Sequence, residues 1–440
     1  MLKIFLTLCS LIIIIGCKSA KEISYNHLDK IPGRYIVFFT KEVAKPVLEE
    51  RRNDDGRQTQ RRMNRPDRKN KKESILRYLQ SMDVESKNEK RFADVQVMAV
   101  VKMTASKAEE LRKDSKHVAA VVQDVAIQIN PIQQGPPDGT DPSRQWVSDV
   151  VTQINPIQQS ADSQLRYEID TVSRISRAIT TAGGPTSGIG KRNVIWFLDS
   201  GIDGNNLEVD RSLDGNFVGS SGTGDDFGHG TFCAGVAAGK PIGRGPLSRR
   251  WRIGVSEGAT VVPVKVLDGT GQGSWSSVLA GLNHVAKYSQ PGDIVNISLG
   301  AYDPSEPKCS IPEIRAAIGR LTTIDNRKQV FVTFSAGNDT ADAGYNQPGC
   351  IDSLNVFTVS SINVDSTCAR FANWGSPPVD FVTVGTRVFS LWKNGHYRLA
   401  SGTSVSSAIL AGIIHAKGAA PTSSQTVTCK DQPYIIATWR

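Results

Sequence analysis

Two regimes of hydrophobic patterning divide the chain. From Ile31 to about Asn130 the apolar positions come in short, mixed runs. IPGRYIVFFT is a turn followed by a β-rich run, and a helix-like stretch starts at Glu73 (ESILRYLQSM). VQVMAVVKM reads as a strand, ASKAEELRKD as a helix and HVAAVVQD as a last strand. This is the pattern of a small α+β unit. From about Leu165 onward, continuous apolar runs alternate with helical ones. The strands are NVIWFLDSG, ATVVPVKVLD, DIVNISLG, QVFVTFSAGN and NVFTVSS; the helices are HGTFCAGVAAG, WSSVLAGLNHVAKYS and VSSAILAGIIHA. Strands apolar on both faces need cover on both faces, so this half predicts an α/β fold with a largely parallel sheet and helices on both sides.

Residues 131–164 separate the two as a linker rich in Pro, Gly, Gln and Asp. At its edges lies a repeat: DVAIQINPIQQ (Asp124–Gln134) recurs 25 residues later as DVVTQINPIQQ (Asp149–Gln159), identical at nine of eleven positions. Two copies without a core between them do not make a solenoid. We read them as a local duplication in a connector.

The length of 440 residues allows two folded units plus appendages. The net charge of +9 is concentrated: Arg51–Lys72 alone holds ten Lys/Arg against three Asp/Glu. That stretch lacks apolar periodicity and reads as a solvated loop; without aromatic interleaving or a reader motif it does not argue for nucleic acid. Met1–Ala20 is a targeting segment, with Lys3 before an apolar run too short to span a membrane. The run ends in Ile14-Ile15-Gly16-Cys17, which resembles a bacterial lipobox and would make Cys17 a lipidated first residue; an ordinary secretory signal is the alternative. Either way the protein is exported, which permits disulfides. Of Cys233, Cys309, Cys350, Cys368 and Cys429, Cys233 sits in an apolar run and reads as a buried thiol. The other four allow three pairings, among which sequence does not choose; Cys309–Cys350 is the one carried forward.

Three motifs stand at junctions of the second unit: Asp199-Ser200-Gly201 directly after a strand, Gly228-His229-Gly230-Thr231, and Gly402-Thr403-Ser404 before a helix. Serine needs a base, histidine can serve as one, and an aspartate can hold the imidazole in its working tautomer. Taken singly, Asp199 is a turn residue, Ser404 an N-cap and Asn338 a turn former. Taken together, in the order Asp-His-Ser, they point to acyl transfer.

With Ser335-Ala336-Gly337-Asn338 as a fourth motif, residues 165–440 resemble a subtilase (peptidase family S8), nearer the proteinase K-like branch. The resemblance implies a serine endopeptidase acting on polypeptides, with Asp199, His229 and Ser404 as triad and Asn338 in the oxyanion hole. It implies that Gly271, Gln272 and Gly273 on one side and Ser298, Leu299 and Gly300 on the other pair with an extended substrate. Ser335, Ala336 and Gly337 would help line the first pocket, and Trp275 would wall the fourth or be a helix-start core aromatic. No cofactor is implied for the chemistry. Structural calcium is common in the family, and Asp380 matches one ligand position. IPGRYIVFF and AEELRKDSKHVAAVVQD resemble the inhibitor-type propeptide of subtilases, a ferredoxin-like unit. The implied layout is signal 1–20, propeptide 21–130, linker with the maturation site 131–164 and catalytic unit 165–440, with the propeptide as intramolecular inhibitor. Val405-Ser406-Ser407-Ala408 departs from the usual Met-Ala-Thr/Ser-Pro, which touches helix entry but no catalytic group. A triad-bearing pseudoenzyme and a basic surface adhesin are the competing readings; an esterase would need Gly-x-Ser-x-Gly, which Ser404 lacks.

Overall fold

The computed structural model describes residues 30–40, 43, 68–84, 98–129, 175–243, 250–306, 308–323 and 329–440. The signal segment with Cys17, most of the basic stretch and the linker 131–164 lie outside the described residues.

The N-terminal unit runs β1 (Lys30–Phe39), α1 (Arg68–Ser81), β2 (Met98–Lys102), α2 (Ala105–Lys113) and β3 (Val118–Gln128). α1 begins five residues before the expected Glu73. Thr104 starts α2 by accepting the Lys107 N–H on its side chain. β1 lies between β2 and β3, antiparallel to both, as three strands of a ferredoxin-like unit would. One face of this sheet buries Val37, Ala99, Val101 and Val121 with Ile75, Leu79, Ala108 and Leu111 of the helices. The opposite face supplies Ile36, Phe38, Met98 and Val125, and these share a buried cluster with residues of the C-terminal unit. The N-terminal unit is therefore seated on the C-terminal one.

The C-terminal unit contains β4 (Ile195–Asp199), α3 (His229–Ala238), β5 (Thr260–Lys265), β6 (Gln272–Ser274), α4 (Trp275–Tyr288) and β7 (Ile294–Ile297). It continues with α5 (Pro312–Thr322), β8 (Phe331–Ser335), β9 (Val356–Ile362) and β10 (Val379–Val384). α6 (Thr403–Lys417), β11 (Thr426–Cys429) and β12 (Gln432–Ile436) complete it. The main sheet has the order β11-β12-β10-β9-β8-β7-β4-β5, with short strands beyond β5. From β12 to β5 every pairing is parallel, and only the terminal β11–β12 hairpin is antiparallel. α3 and α6 share one buried cluster, while α4 and α5 share another on the other face of the sheet. Ile195 and Phe197 of β4 point into the first and Trp196 and Leu198 into the second, which is why the run carries no polar residue before Asp199.

Cys309 is bonded to Cys350, Cys368 to Cys429, and Cys233 is a buried free thiol. The second bond fastens the C-terminal hairpin to the loop after β9. Among the described residues no helix is long and apolar enough to cross a membrane.

One expectation needs correction. β3 does not end near Asp124 but continues through Gln128, so the first repeat copy is not connector: its first five residues are strand. The reason is tertiary. Ala126, Ile127 and Gln128 find backbone partners in Ser274, Gly273 and Gln272 of β6.

Candidate active site

Asp199 ends β4 at the carboxyl edge of the sheet, where folds of this class place their chemistry. His229 opens α3, and its Nδ1 lies 2.8 and 2.9 Å from the two Asp199 oxygens. Asp199 also accepts the Ser200 N–H at 2.7 Å. Both partners are completely buried. Burial alone pushes the imidazolium down, but the Asp199 carboxylate overrides it and holds His229 well above its ordinary value. Cys233, one turn along α3, places its sulfur 3.8 Å from His229 Nε2 and 3.9 Å from the Ser404 carbonyl oxygen. Burial raises this thiol, so it stays neutral and Asp199 is the source of the histidine shift. Asp199, His229 and Cys233 are also the cluster of potential metal ligands found among the described residues. Two of its three members already pair with each other.

Two groups that sequence reasoning missed hold this arrangement. Buried Asp225 accepts from Ser200 Oγ (2.8 Å), Phe227 N (3.1 Å), Gly228 N (2.6 Å), Thr231 N (2.8 Å) and Thr231 Oγ1 (2.6 Å). It thus meets the donors that the start of α3 leaves without helical partners. The signal for it was an Asp four residues before the histidine. Lys265, fully buried at the end of β5, donates to Ser200 O at 2.6 Å, Gly224 O at 3.0 Å and Asp226 at 2.9 Å. It ties the Asp199 turn to the loop that carries His229. Gly228 between them has φ 115°, and a Cβ there would lie 2.3 Å from the Trp392 ring.

Ser404 lies in the first turn of α6, which packs against α3. Its Oγ donates to Ser298 O at 3.2 Å, and Ser298 Oγ returns a bond to Ser404 O at 3.0 Å. The hydroxyl is thus parked on Ser298 rather than on the imidazole. Asn338 has its Oδ1 held by Thr403 N and Thr403 Oγ1, both at 2.9 Å, and Thr403 Oγ1 also accepts from Gly337 N. This fixes the amide so that Nδ2 faces Gly402. A Cβ on Gly402 would stand 3.4 Å from Asn338 Nδ2 and 3.8 Å from Ser404 N. Two N–H donors therefore border one small space that the missing side chain keeps open. Gly402 was not singled out from sequence as more than part of the motif.

The expected substrate strands are occupied. Ala126–Gln128 pairs antiparallel with β6, and Ile129 N donates to Gly271 O at 3.0 Å. On its other side Gln128 bridges Gly300, whose N–H donates to Gln128 O at 3.3 Å. The tail is thus a middle strand between residues 271–274 and Gly300. Because the pairing is antiparallel, it runs from Gly300 toward Ser298, and so toward Ser404. Ile127 and Ile129 share one buried cluster with Trp275 and Leu299. Trp275 is buried at the start of α4 and grouped with the tail. Asp124 anchors the tail: it accepts from Ser276 N (3.0 Å) and Ser276 Oγ (2.7 Å) at the start of α4 and faces Arg34 Nε at 3.0 Å. Ser335 and Ala336 are buried at the end of β8, next to Gly337 and Asn338.

Asp380 stands apart, on β10. It remains partly exposed and accepts the Thr358 N–H at 2.8 Å. Desolvation, reinforced by the Asp352 charge, raises its carboxyl to about 6 against that hydrogen bond.

The subtilase-family profile (Peptidase_S8) matches residues 190–426, more than half of the chain, and the chain belongs to the subtilase family. Proteinase T of Parengyodontium album is 32% identical over 225 residues, covering 50% of this chain and 68% of that protein. Subtilisin-like protease 2 of Pseudogymnoascus destructans is 32% identical over 232 residues, 52% of each chain. Subtilisin-like protease 4 of Trichophyton equinum is 30% identical over 278 residues, 57% of this chain and 64% of its own. The chain therefore spans between about half and two thirds of these relatives, which lie on the proteinase K-like side of the family. A cold-adapted subtilisin-like serine proteinase of known structure aligns with a TM-score of 0.44 and 26% identity, over 53% of this chain and 77% of that one.

Proposed function

We propose that this protein is an exported serine endopeptidase made as a self-inhibited zymogen, with Asp199, His229 and Ser404 as its triad. The observation that carries the reading is the tail Ala126–Ile129, held as the middle strand between residues 271–274 and Gly300 and pointed at Ser404. A bound polypeptide would be gripped in the same way, by backbone pairing with pockets for alternate side chains. The polypeptide is the substrate, and specificity rests on a few apolar pockets.

In the reaction, the Ser404 hydroxyl leaves Ser298 O and gives its proton to His229 as Oγ attacks the scissile carbonyl. Asn338 Nδ2 and Ser404 N donate to the oxygen that becomes negative. His229 then protonates the leaving amine, and water repeats the sequence on the acyl-enzyme. Asp199 keeps Nδ1–H oriented and stabilises the imidazolium throughout. Asp225 and Lys265 act through these groups as positioning residues.

Residues 21–130 are the inhibitory propeptide in this reading, and maturation falls in the linker 131–164. Two disulfides fit an exported protein; a lipid anchor at Cys17 rests on the lipobox-like sequence alone. Asp380 with Asp352 nearby fits a hard cation: the raised pKa reports negative charge that one N–H only partly meets, and carboxylate oxygen is the ligand calcium prefers. Such an ion would stabilise the fold and take no part in the chemistry.

The test is to produce the chain without Met1–Ala20 beside its Ser404→Ala variant and follow mass and fluorophosphonate labelling. The expected result is a shortened, labelled wild type and a full-length, unlabelled variant. A folded wild type that neither shortens nor labels would move the pseudoenzyme reading to the front.

A further inference from the structure

The repeat is the feature that the function so far leaves unexplained. The docked copy shows what each of its positions does. Asp124 caps α4 through Ser276, Val125 and Ile127 are buried, and Ala126 is exposed. Gln128 pairs on both sides, and Ile129 is buried while donating to Gly271. The second copy keeps four of these six residues, as Asp149, Val150, Gln153 and Ile154. It changes the exposed Ala126 to Val151 and the buried Ile127 to Thr152. Valine suits an extended strand at an exposed position, and threonine keeps the β-branched shape but loses apolar burial. We infer that residues 149–155 are a second cleft-binding tail, which takes the place of the first between residues 271–274 and Gly300 once that one has left. The inference rests on reading the groove as a substrate cleft.

Three further observations support it. Most of the grip is backbone pairing, which any extended segment can make, so it transfers between copies. The connection is long enough: from Ile154 to Ile175, the first described residue of the catalytic unit, the chain advances by 21 positions. Extended, these reach about 70 Å, against a width of roughly 50 Å for a unit of this size. And each copy continues with Asn-Pro, as Asn130-Pro131 and Asn155-Pro156. A proline nitrogen carries a ring carbon where other amides carry hydrogen, so the chain entering the reaction centre from either copy offers His229 a crowded leaving group. That suits a tail which occupies the cleft rather than being consumed there. The Ile127-to-Thr152 exchange makes the second copy the weaker occupant by about tenfold. Asp149 would also meet Ser276 without Arg34, which belongs to the departed propeptide. The ranking explains why the first copy holds the cleft in the intact chain.

Two measurements test this. First, peptides of residues 124–134 and 149–159 are added to processed enzyme cleaving casein. The expected result is competitive inhibition by both, the second about tenfold weaker, abolished by Ile154→Asp, with each peptide recovered intact. Inhibition by the first peptide alone, failure of both on an enzyme that labels at Ser404, or rapid cleavage of 149–159 after Asn155 would each overturn the proposal. Second, the full chain carrying Ile127→Asp and Ile129→Asp, read before the linker is cut beyond residue 159 and both copies leave, should stay poorly labelled by fluorophosphonate, and adding Ile154→Asp should raise labelling at least tenfold. Full labelling of the first variant overturns it as well. If these variants do not fold, the peptides decide. Failure of the protease reading itself is seen separately, as absence of labelling in every form.

Discussion

Two helices begin at the reaction centre, and their first turns are treated in opposite ways. At the start of α3 the buried Asp225 meets the N–H groups of Phe227, Gly228 and Thr231. At the start of α6 the glycine before Thr403 offers no side chain, and Asn338, whose Oδ1 accepts the Thr403 N–H, brings its Nδ2 donor to the space beside Ser404 N. The first arrangement spends the free donors of a helix end on structure, so that His229 is held against Asp199. In the proposed mechanism the second turns the donors beside Gly402 toward the charge that develops during turnover. Two Gly-x motifs that look alike in sequence thus have different tasks, and the difference lies in where an acidic residue sits.

The largest effect should come from the histidine side. Asp199→Asn is expected to lower kcat by about 10⁴, the cost of the same change in another serine protease triad. It also has a pH signature. Activity requires neutral His229 and so rises as pH climbs through the histidine pKa, which Asp199 holds high. Without that charge the rising limb of the kcat/KM profile should move to lower pH. An unmoved limb would mean that Asp199 does not set the titration.

Next in size are changes at the other helix start. Asn338→Ala should cost about 10²–10³ in kcat, a range known from subtilisin rather than derived from these distances. Gly402→Ala is the sharper variant. Its methyl would fill the space that both donors border, so a loss of similar size is expected with KM and melting temperature nearly unchanged. A large fall in stability instead would show that Gly402 serves the fold and that the two helix starts are not as different as argued.

Asp225→Ala should do the reverse. It strands several buried donors, each costing about 1–3 kcal/mol when unmet, so a fall of about 3 kcal/mol or more in unfolding free energy is expected, read by urea titration. If stability holds while kcat drops, Asp225 belongs with the chemistry and the contrast fails.

Much of this was legible in the chain. The proposed triad and Asn338 sit in motifs at strand-to-helix or loop-to-helix junctions, the two flanking strands came with the subtilase resemblance, and burial on both faces wrote β4, β5, β7 and β8 as apolar runs. What escaped was set by partners distant in sequence. Lys265 looks like an ordinary strand-end lysine until Ser200 O and Gly224 O are seen around it. Residues 126–128 look like connector until β6 supplies their ladder. The pairing of Cys368 with Cys429 spans 61 residues and leaves no local trace. The β11–β12 hairpin alternates exposed and buried positions weakly at the sheet edge, and no strand was drawn there.

The smallest effect separates two carboxylates rather than two helices. Asp225 is saturated with donors, whereas Asp380 accepts one N–H and feels Asp352, and its carboxyl rises to about 6. The folded protein therefore binds that proton more tightly than the unfolded chain, whose carboxyl titrates near 4. Stability is lost as pH rises from about 4 to about 6, and the loss persists at neutral pH. Because Asp380 is partly exposed, solvent screening reduces the cost to about 1 kcal/mol. Asp380→Asn should then raise the melting temperature at pH 7 by about 2–4 °C in chelator, and by nothing at pH 3.5. Millimolar calcium should raise the wild type by a comparable amount and leave the variant unmoved. If the variant gains in chelator but calcium does nothing to the wild type, Asp380 is strained without being a ligand. If chelator and calcium give the same wild-type melting temperature and the variant gains nothing, the charge is already met by solvent, and the contrast with Asp225 reduces to depth of burial.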